Sequence, residues 1–215
     1  MLLDRMVKPP GQAGADTKAR ILDAADAVFT RRGIDGARMQ EIADRARVNK
    51  ALLHYHFRSK DELARAVWLR IAASLLPQIF ETMTSDAALD GKIDQFVDAY
   101  LTRLQRHPYI PTYILGEIAR RPELVSALFS SGRGAAARRM VRKLREQIAE
   151  EIGKGRMAPV TAEQFMATLL GACVFPFAAR PLIAAALGIG PRAFGGFIER
   201  RRKELPAFLK RGLRP

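Results

Sequence analysis

The run Arg38-Met-Gln-Glu-Ile-Ala-Asp-Arg-Ala-Arg-Val-Asn-Lys-Ala-Leu-Leu-His-Tyr-His-Phe57 decides the fold. Its apolar side chains fall as Met39, Ile42, Ala43 and Ala46, then as Leu53 and Phe57. Steps of three and four put each group on one side of an α-helix. Ala43 is small enough for close helix contact, Val48 anchors the turn between the groups, and Asn49 can cap the next helix by accepting from its free N–H groups. With only about two turns available, Leu53 and Phe57 must face inward. That leaves Lys50, Ala51, Leu52, His54 and Tyr55 outside.

Upstream, a helix with Asp16 or Thr17 as N-cap carries Ile21, Ala24, Ala25, Val28 and Phe29 on one face, and Gly33 closes it by offering a left-handed position. Residues 1–15, with Pro9, Pro10, Gly11 and Gly14, read as a flexible arm. Downstream, Ser59 with Glu62 three residues on forms a capping box ahead of Leu63, Val67, Ile71 and Leu75. Pro77 and residues 82–90 interrupt the pattern. Beyond them the periodicity predicts helices at about 91–106, 109–120, 123–130, 134–152, 161–187 with breaks at Pro176 and Pro181, and 191–211. No segment alternates with period two between hairpin turns, so the expected fold is all-α. Its expected parts are a flexible arm (1–15), a small N-terminal domain (16–60) and a helical body (61–215).

Composition narrows the function. The formal net charge is +14, which points to a polyanionic partner. Yet residues 1–60 contribute +5, residues 131–156 another +5 and residues 191–215 +6, so global basicity supports no single surface. The single cysteine, Cys173, allows no intramolecular disulfide and suggests a reducing, cytoplasmic setting. The first ten residues hold no apolar run of signal-peptide length. The longest uncharged apolar stretch, 169–179, contains Pro176 and is too short to span a bilayer, so no membrane partner is expected. There is no glycine-rich phosphate loop and no nucleophile elbow. His54 and His56 stand two apart, about 200° apart on a helix, and make no metal face. Neither enzymatic activity, nor a cofactor, nor a metal is expected; His56 reads as a packing residue.

Two short helices joined by a tight turn, with a longer helix in front, are the minimum needed to push one helix into a DNA major groove. At this point the sequence closely resembles the TetR family of bacterial regulators. The resemblance rests on Ile42-Ala43, Val48-Asn49-Lys50, Leu53-His54-Tyr55-His56-Phe57 and Ser59-Lys60-Asp61-Glu62-Leu63, in one joined run behind a helix ending at Gly33. It covers about residues 16–65. It implies that Lys50, Ala51 and Leu52 approach base edges and that Tyr55 and Lys60 hold phosphates, with Asn49 and His54 alongside. Two positions depart from the pattern. Arg47 stands where the turn usually has glycine and must take a left-handed conformation unless the turn differs. Ala37 and Arg38 stand where a threonine or serine commonly caps the second helix and bonds phosphate; Gly36 or Asp35 can cap instead, with Arg38 as the phosphate contact.

The resemblance also implies a ligand cavity and a dimer interface in the body, and hence three partners: a double-stranded operator, a second copy of the chain and a small-molecule effector. Phe96, Tyr100, Tyr113, Phe129 and Phe177 are candidates to line an apolar cavity, with Glu117 as a polar contact, and a moderately sized apolar or aromatic compound would suit them. Phe165, Leu169, Cys173, Phe194, Phe197, Ile198 and Leu205 give the last helices enough apolar surface to suggest a four-helix dimer interface. The competing reading is a basic helical protein of membrane surfaces or scaffolds without specific DNA readout.

Overall fold

The computed structural model describes residues 10–120, 129 and 133–215, and among these every regular element is helical. The chain divides into two compact units, residues 1–71 and 72–215. The first therefore takes in residues 61–71, which a boundary at 60/61 assigns to the body.

Four helices meet in the first unit: α1 (Pro10–Gly36), α2 (Met39–Ala46), α3 (Lys50–His56) and the first half of α4 (Lys60–Thr84). α1 starts earlier than an Asp16 cap predicts. Pro10 at its first position has a preset φ and lacks only an N–H that no helix start can pair. Gly33, at φ 69 and ψ 170, breaks the helical path as expected, and a further turn continues to Gly36. Ile21, Ala25, Val28 and Phe29 of α1 are buried, as are Ile42, Ala43, Leu53, Leu63 and Val67 of the helices that follow, and α1 packs on α2 and α2 on α3. Each fully buried aliphatic or aromatic side chain of this kind contributes about 1.5–3 kcal/mol relative to exposure. Arg70 on α4 pairs with Asp23 on α1 at 2.8 Å.

α4 continues through Pro77, correcting the expectation of an interruption there; the helix ends at Thr84 and residues 85–88 are non-helical. By length and composition α4 is apolar enough to cross a membrane. Its first half instead buries Leu63, Val67, Trp68 and Ile71, as the core helix of a folded unit does.

The second unit holds the rest of α4, then α5 (Leu89–Arg106), α6 (Ile110–Arg120), α7 (Arg133–Gly153), α8 (Ala162–Ala178), α9 (Arg180–Ala186) and α10 (Phe194–Gly212). The helix expected at 123–130 lies outside the described residues except Phe129. α8 touches α5, α6, α7 and α9, which explains why its sequence is apolar nearly all round. It too runs through its proline, Pro176, and the break comes at Ala179, where α9 turns away by 80°. α5 and α10 pack along their length and are laced at the edge by Asp94–Lys210, Asp98–Arg202 and Gln105–Glu199, a descending order that makes them antiparallel.

Among the described residues of this unit, Lys92 is a fully buried cation. Lys92 donates from Nζ to the Met83 carbonyl at 3.0 Å and to Gln147 Oε1 at 2.7 Å, and Gln147 Nε2 donates onward to the Ala87 carbonyl at 3.0 Å. Burial, then the nearby Lys143 charge, hold the Lys92 ammonium below its usual pKa, against the pull of Asp86. The cluster ties the end of α4 and the turn after it to α7.

Candidate nucleic-acid interface

The geometry of α2 and α3 follows from three local devices. α2 ends in a Schellman motif: Val48 N–H donates to the Ala43 carbonyl at 3.0 Å, Arg47 N–H to the Asp44 carbonyl at 3.1 Å, and Arg47 takes φ 54, ψ 47. The turn thus keeps its left-handed shape with an arginine where glycine is easiest. Asn49 Oδ1 then accepts from Leu52 N–H at 2.7 Å and caps α3. After α3, Ser59 Oγ accepts from Glu62 N–H at 3.1 Å. The reciprocal bond reaches Arg58 N–H, at 3.0 Å, one residue before the cap.

These devices set α3 down on Leu53 and Phe57, both buried, and turn Lys50, Ala51, Leu52, His54 and Tyr55 out to solvent. Tyr55 is 82% exposed, the most exposed large hydrophobic side chain described. His56 is half-buried, its ring edge-on to Tyr55 at 5.4 Å. Asn49 is on the same exposed end, its side-chain oxygen engaged as the cap. Arg38 precedes α2 in extended conformation, exposed, and gives α2 no side-chain cap; neither Gly36 nor Asp35 holds that position. The first N–H groups of α2 therefore carry no side-chain partner at the cap.

Lys60 sits differently from the expectation. Its Nζ donates to the carbonyls of Asp35 at 3.0 Å and Ala37 at 3.2 Å, bracing the turn between α1 and α2 with two of its three ammonium hydrogens. Other braces carry no sequence signal. Glu41 on α2 receives both Arg31 and Arg32 of α1, the latter at 3.0 Å, and Lys18 lies 5.7 Å above the Phe57 ring. Such pairs join residues nine to thirty-nine positions apart across turns, so no helical spacing reveals them.

The expected effector and dimer residues are placed less as foreseen. Phe96 and Phe177 are buried in the core of the second unit; Phe96 stacks on Tyr100 at 5.1 Å and Phe177 meets Phe194 edge-on at 6.1 Å. Burial, with the Cys173 thiol beside it, pushes the Tyr100 hydroxyl up to about 12. Tyr113 is half-buried on α6, Phe129 is exposed, and the Glu117 side chain lies outside the described residues. A cleft of about 300 Å³ does open in this unit, but between α8 and α10, lined by Pro159, Phe165, Leu169, Phe208 and Leu213 among others. Of the dimer candidates, Phe165, Leu169, Cys173, Phe194, Ile198 and Leu205 are at most 5% exposed and Phe197 is half-buried. Their apolar surface is already covered within one chain. The large apolar groups these helices leave open are instead Phe175, Leu182, Leu187 and Phe208.

Residues 21–67 match the family described as bacterial regulatory proteins, tetR family. Over 116 residues the chain is 33% identical to the HTH-type transcriptional repressor SCO4008 of Streptomyces coelicolor, a match to 54% of this chain and 50% of that protein. Over 85 residues it is 35% identical to the HTH-type transcriptional activator FasR of Mycolicibacterium smegmatis, covering 40% and 39%. The chain thus spans half or less of the length of these curated relatives. Its fold is that of the ketosteroid transcriptional regulator KstR2 of Mycobacterium tuberculosis, with a TM-score of 0.62 over 92% of this chain and 95% of that one at 16% identity.

Proposed function

We propose that this chain, which belongs to the tetR family of bacterial regulatory proteins by its residues 21–67, is a transcriptional regulator that holds a palindromic DNA operator as a homodimer. The observation that carries the reading is α3 itself: a capped helix, seated on Leu53 and Phe57, with Lys50, Ala51, Leu52, His54 and Tyr55 all outward. A helix whose outer side chains stand exposed among the described residues is shaped for a groove. Lys50 contacts base edges, while Arg38, Tyr55 and the remaining donor of Lys60 contact phosphates. Lys50→Ala lowers the preference for the operator over random DNA. Arg38→Ala weakens both alike and reduces the salt slope by about 0.9, the worth of one phosphate. If Lys50→Ala leaves selectivity untouched, α3 is not the reading helix.

A single reader of this size covers few base pairs, so useful specificity needs two copies. The pairing surface is drawn from Phe175, Leu182, Leu187 and Phe208, because these are the large apolar groups left exposed on α8, on α9 and the residue that ends it, and on α10. Charged substitutions at Leu182 and Phe208 should give a monomer by light scattering, and an unchanged dimer would contradict this surface. Repression relieved by a small apolar or aromatic effector completes the reading. It is supported by a body far larger than a DNA anchor needs and by the apolar cleft between α8 and α10. The effector must bind the non-binding arrangement more tightly, and about 2–3 kcal/mol of difference would cut occupancy by one to two orders of magnitude. A thermal-shift screen of apolar compounds followed by operator titration tests it; hits that stabilise the protein and leave operator affinity unchanged would remove it. The regulator acts where the DNA is, in the cytoplasm.

A further inference from the structure

We infer that Leu52 reads the 5-methyl group of a thymine in each half-site, an inference that rests on α3 being the recognition helix. The directions of the side chains on α3 carry it. Leu53 and Phe57, buried to the last few per cent, fix the inward side of the helix. Stepping about 100° per residue, Ala51 and Tyr55 lie close to the opposite pole, Leu52 about 60° to one side of it, and Lys50 and His54 further off on the other. Base contacts come from the first turn of such a helix, which here means Lys50, Ala51 and Leu52. Tyr55 is a turn further on.

Two of those three side chains have no hydrogen-bonding atom. Ala51 ends at Cβ and lets the helix come close, while Leu52 stands 37% exposed. Leu52 and Tyr55 are the large hydrophobic side chains that the described first unit leaves exposed. The backbone that carries Leu52 is fixed, because its own N–H is the group that Asn49 Oδ1 caps at 2.7 Å. In the major groove every base pair offers donors and acceptors, which an isobutyl group cannot use, and only thymine adds an apolar methyl. A leucine held at that depth therefore favours thymine over cytosine, whose edge would meet it with an unpaired N4 donor. Lys50, exposed at the first position of the helix and carrying a long side chain, is left to reach the acceptors of a neighbouring guanine.

The test starts from duplexes enriched out of a random-sequence pool by the full chain. In the enriched sequence each thymine is replaced in turn by deoxyuridine, which removes the methyl group and leaves every hydrogen-bonding edge in place. Affinity is then measured for the unaltered protein and for Leu52→Ala, whose exposed side chain can be shortened without opening the core. One thymine position per half-site should be sensitive in the unaltered protein, losing about fourfold on loss of one methyl and about tenfold or more when both half-sites are changed. Leu52→Ala should bind the thymine and deoxyuridine duplexes alike at that position while still discriminating at the base opposite Lys50. Absence of any methyl-sensitive thymine, or sensitivity that persists in Leu52→Ala, overturns the inference alone. A pool from which nothing is enriched overturns the recognition-helix reading, and the inference with it.

Discussion

Replacing Arg47 by glycine should stabilise the first unit. Arg47 holds φ 54 and ψ 47 at the end of α2, a conformation in which the Cβ of an L-residue crowds its following carbonyl, at a cost of about 1–2 kcal/mol. Glycine removes that cost and gives back about 0.5–1 kcal/mol through the greater freedom of its unfolded chain. The net gain is about 0.5–1 kcal/mol. In a domain of this size it corresponds to roughly 2–8 °C in the unfolding midpoint. The side chain is exposed and lines a shallow cleft with Arg20, Asp23 and Arg45, so its removal also eases repulsion among like charges. Arg47→Ala isolates that electrostatic part, because alanine keeps the left-handed strain. Arg47→Val adds a β-branched side chain to the same conformation and should lose stability. The chain's one tryptophan, Trp68, is buried in this unit, so urea titration followed by its fluorescence reports on this unit directly. The reasoning predicts glycine above arginine and alanine, and valine below both. Glycine at or below arginine, or valine equal to it, would show that the strain at Arg47 is not what the backbone implies.

Asn49→Ala removes the acceptor of the Leu52 N–H and should cost about 1 kcal/mol, read by the same fluorescence titration, with a larger proportional loss of operator preference than of random-DNA binding. Lys92→Met keeps the buried stem but strips the Met83 carbonyl and Gln147 Oε1 of their donor, which should lower the stability of the second unit by about 1–3 kcal/mol in circular-dichroism melts; a gain instead would mean that desolvating the ammonium outweighs its bonds. Above neutral pH, Tyr100 should make the second unit alkali-labile. Its hydroxyl ionises near pH 10 when unfolded and at about 12 when folded, so the stability it contributes is intact below pH 10 and falls by about 2–3 kcal/mol between pH 10 and 12. Lys92, depressed by burial, acts in the opposite sense as pH approaches its unfolded value. Comparing melts of the unaltered protein with Tyr100→Phe isolates the tyrosine: the variant should show a shallower alkaline decline, and equal slopes would refute the assignment.

The sequence revealed most where structure is made locally. Asn49 as a cap, the Ser59–Glu62 start of α4 and the inward Leu53 and Phe57 each depend on residues within a turn of one another, and spacing alone identifies them, whereas the left-handed Arg47 is expected only from the family resemblance at that turn. It revealed least where the outcome depends on which surface meets which. Phe165, Leu169 and Leu205 carry the apolar periodicity of a buried face, and periodicity does not distinguish burial in one's own core from burial against a second copy. Phe96 and Phe177 were ambiguous in the same way between cavity wall and core. Pro77 and Pro176 look like breaks, yet both helices continue through them; each proline forfeits one backbone bond, which burial of α8 around Pro176 offsets, whereas Pro77 stands exposed on α4. Lys92 gave no sign at all, since its two acceptors come from the end of α4 and from α7, fifty-five residues away.

The central claim is that α3 reads DNA sequence, and the most direct measurement is to equilibrate the full chain with a random-sequence duplex pool at physiological salt and sequence what it retains. The account predicts an enriched inverted repeat whose half-site centres lie one helical turn, about 34–36 Å, or a multiple of it apart, with the enrichment lost in Lys50→Ala. Retention without sequence preference, from a protein that floats equally well with anionic vesicles, would contradict it and leave a basic surface-binding protein in its place.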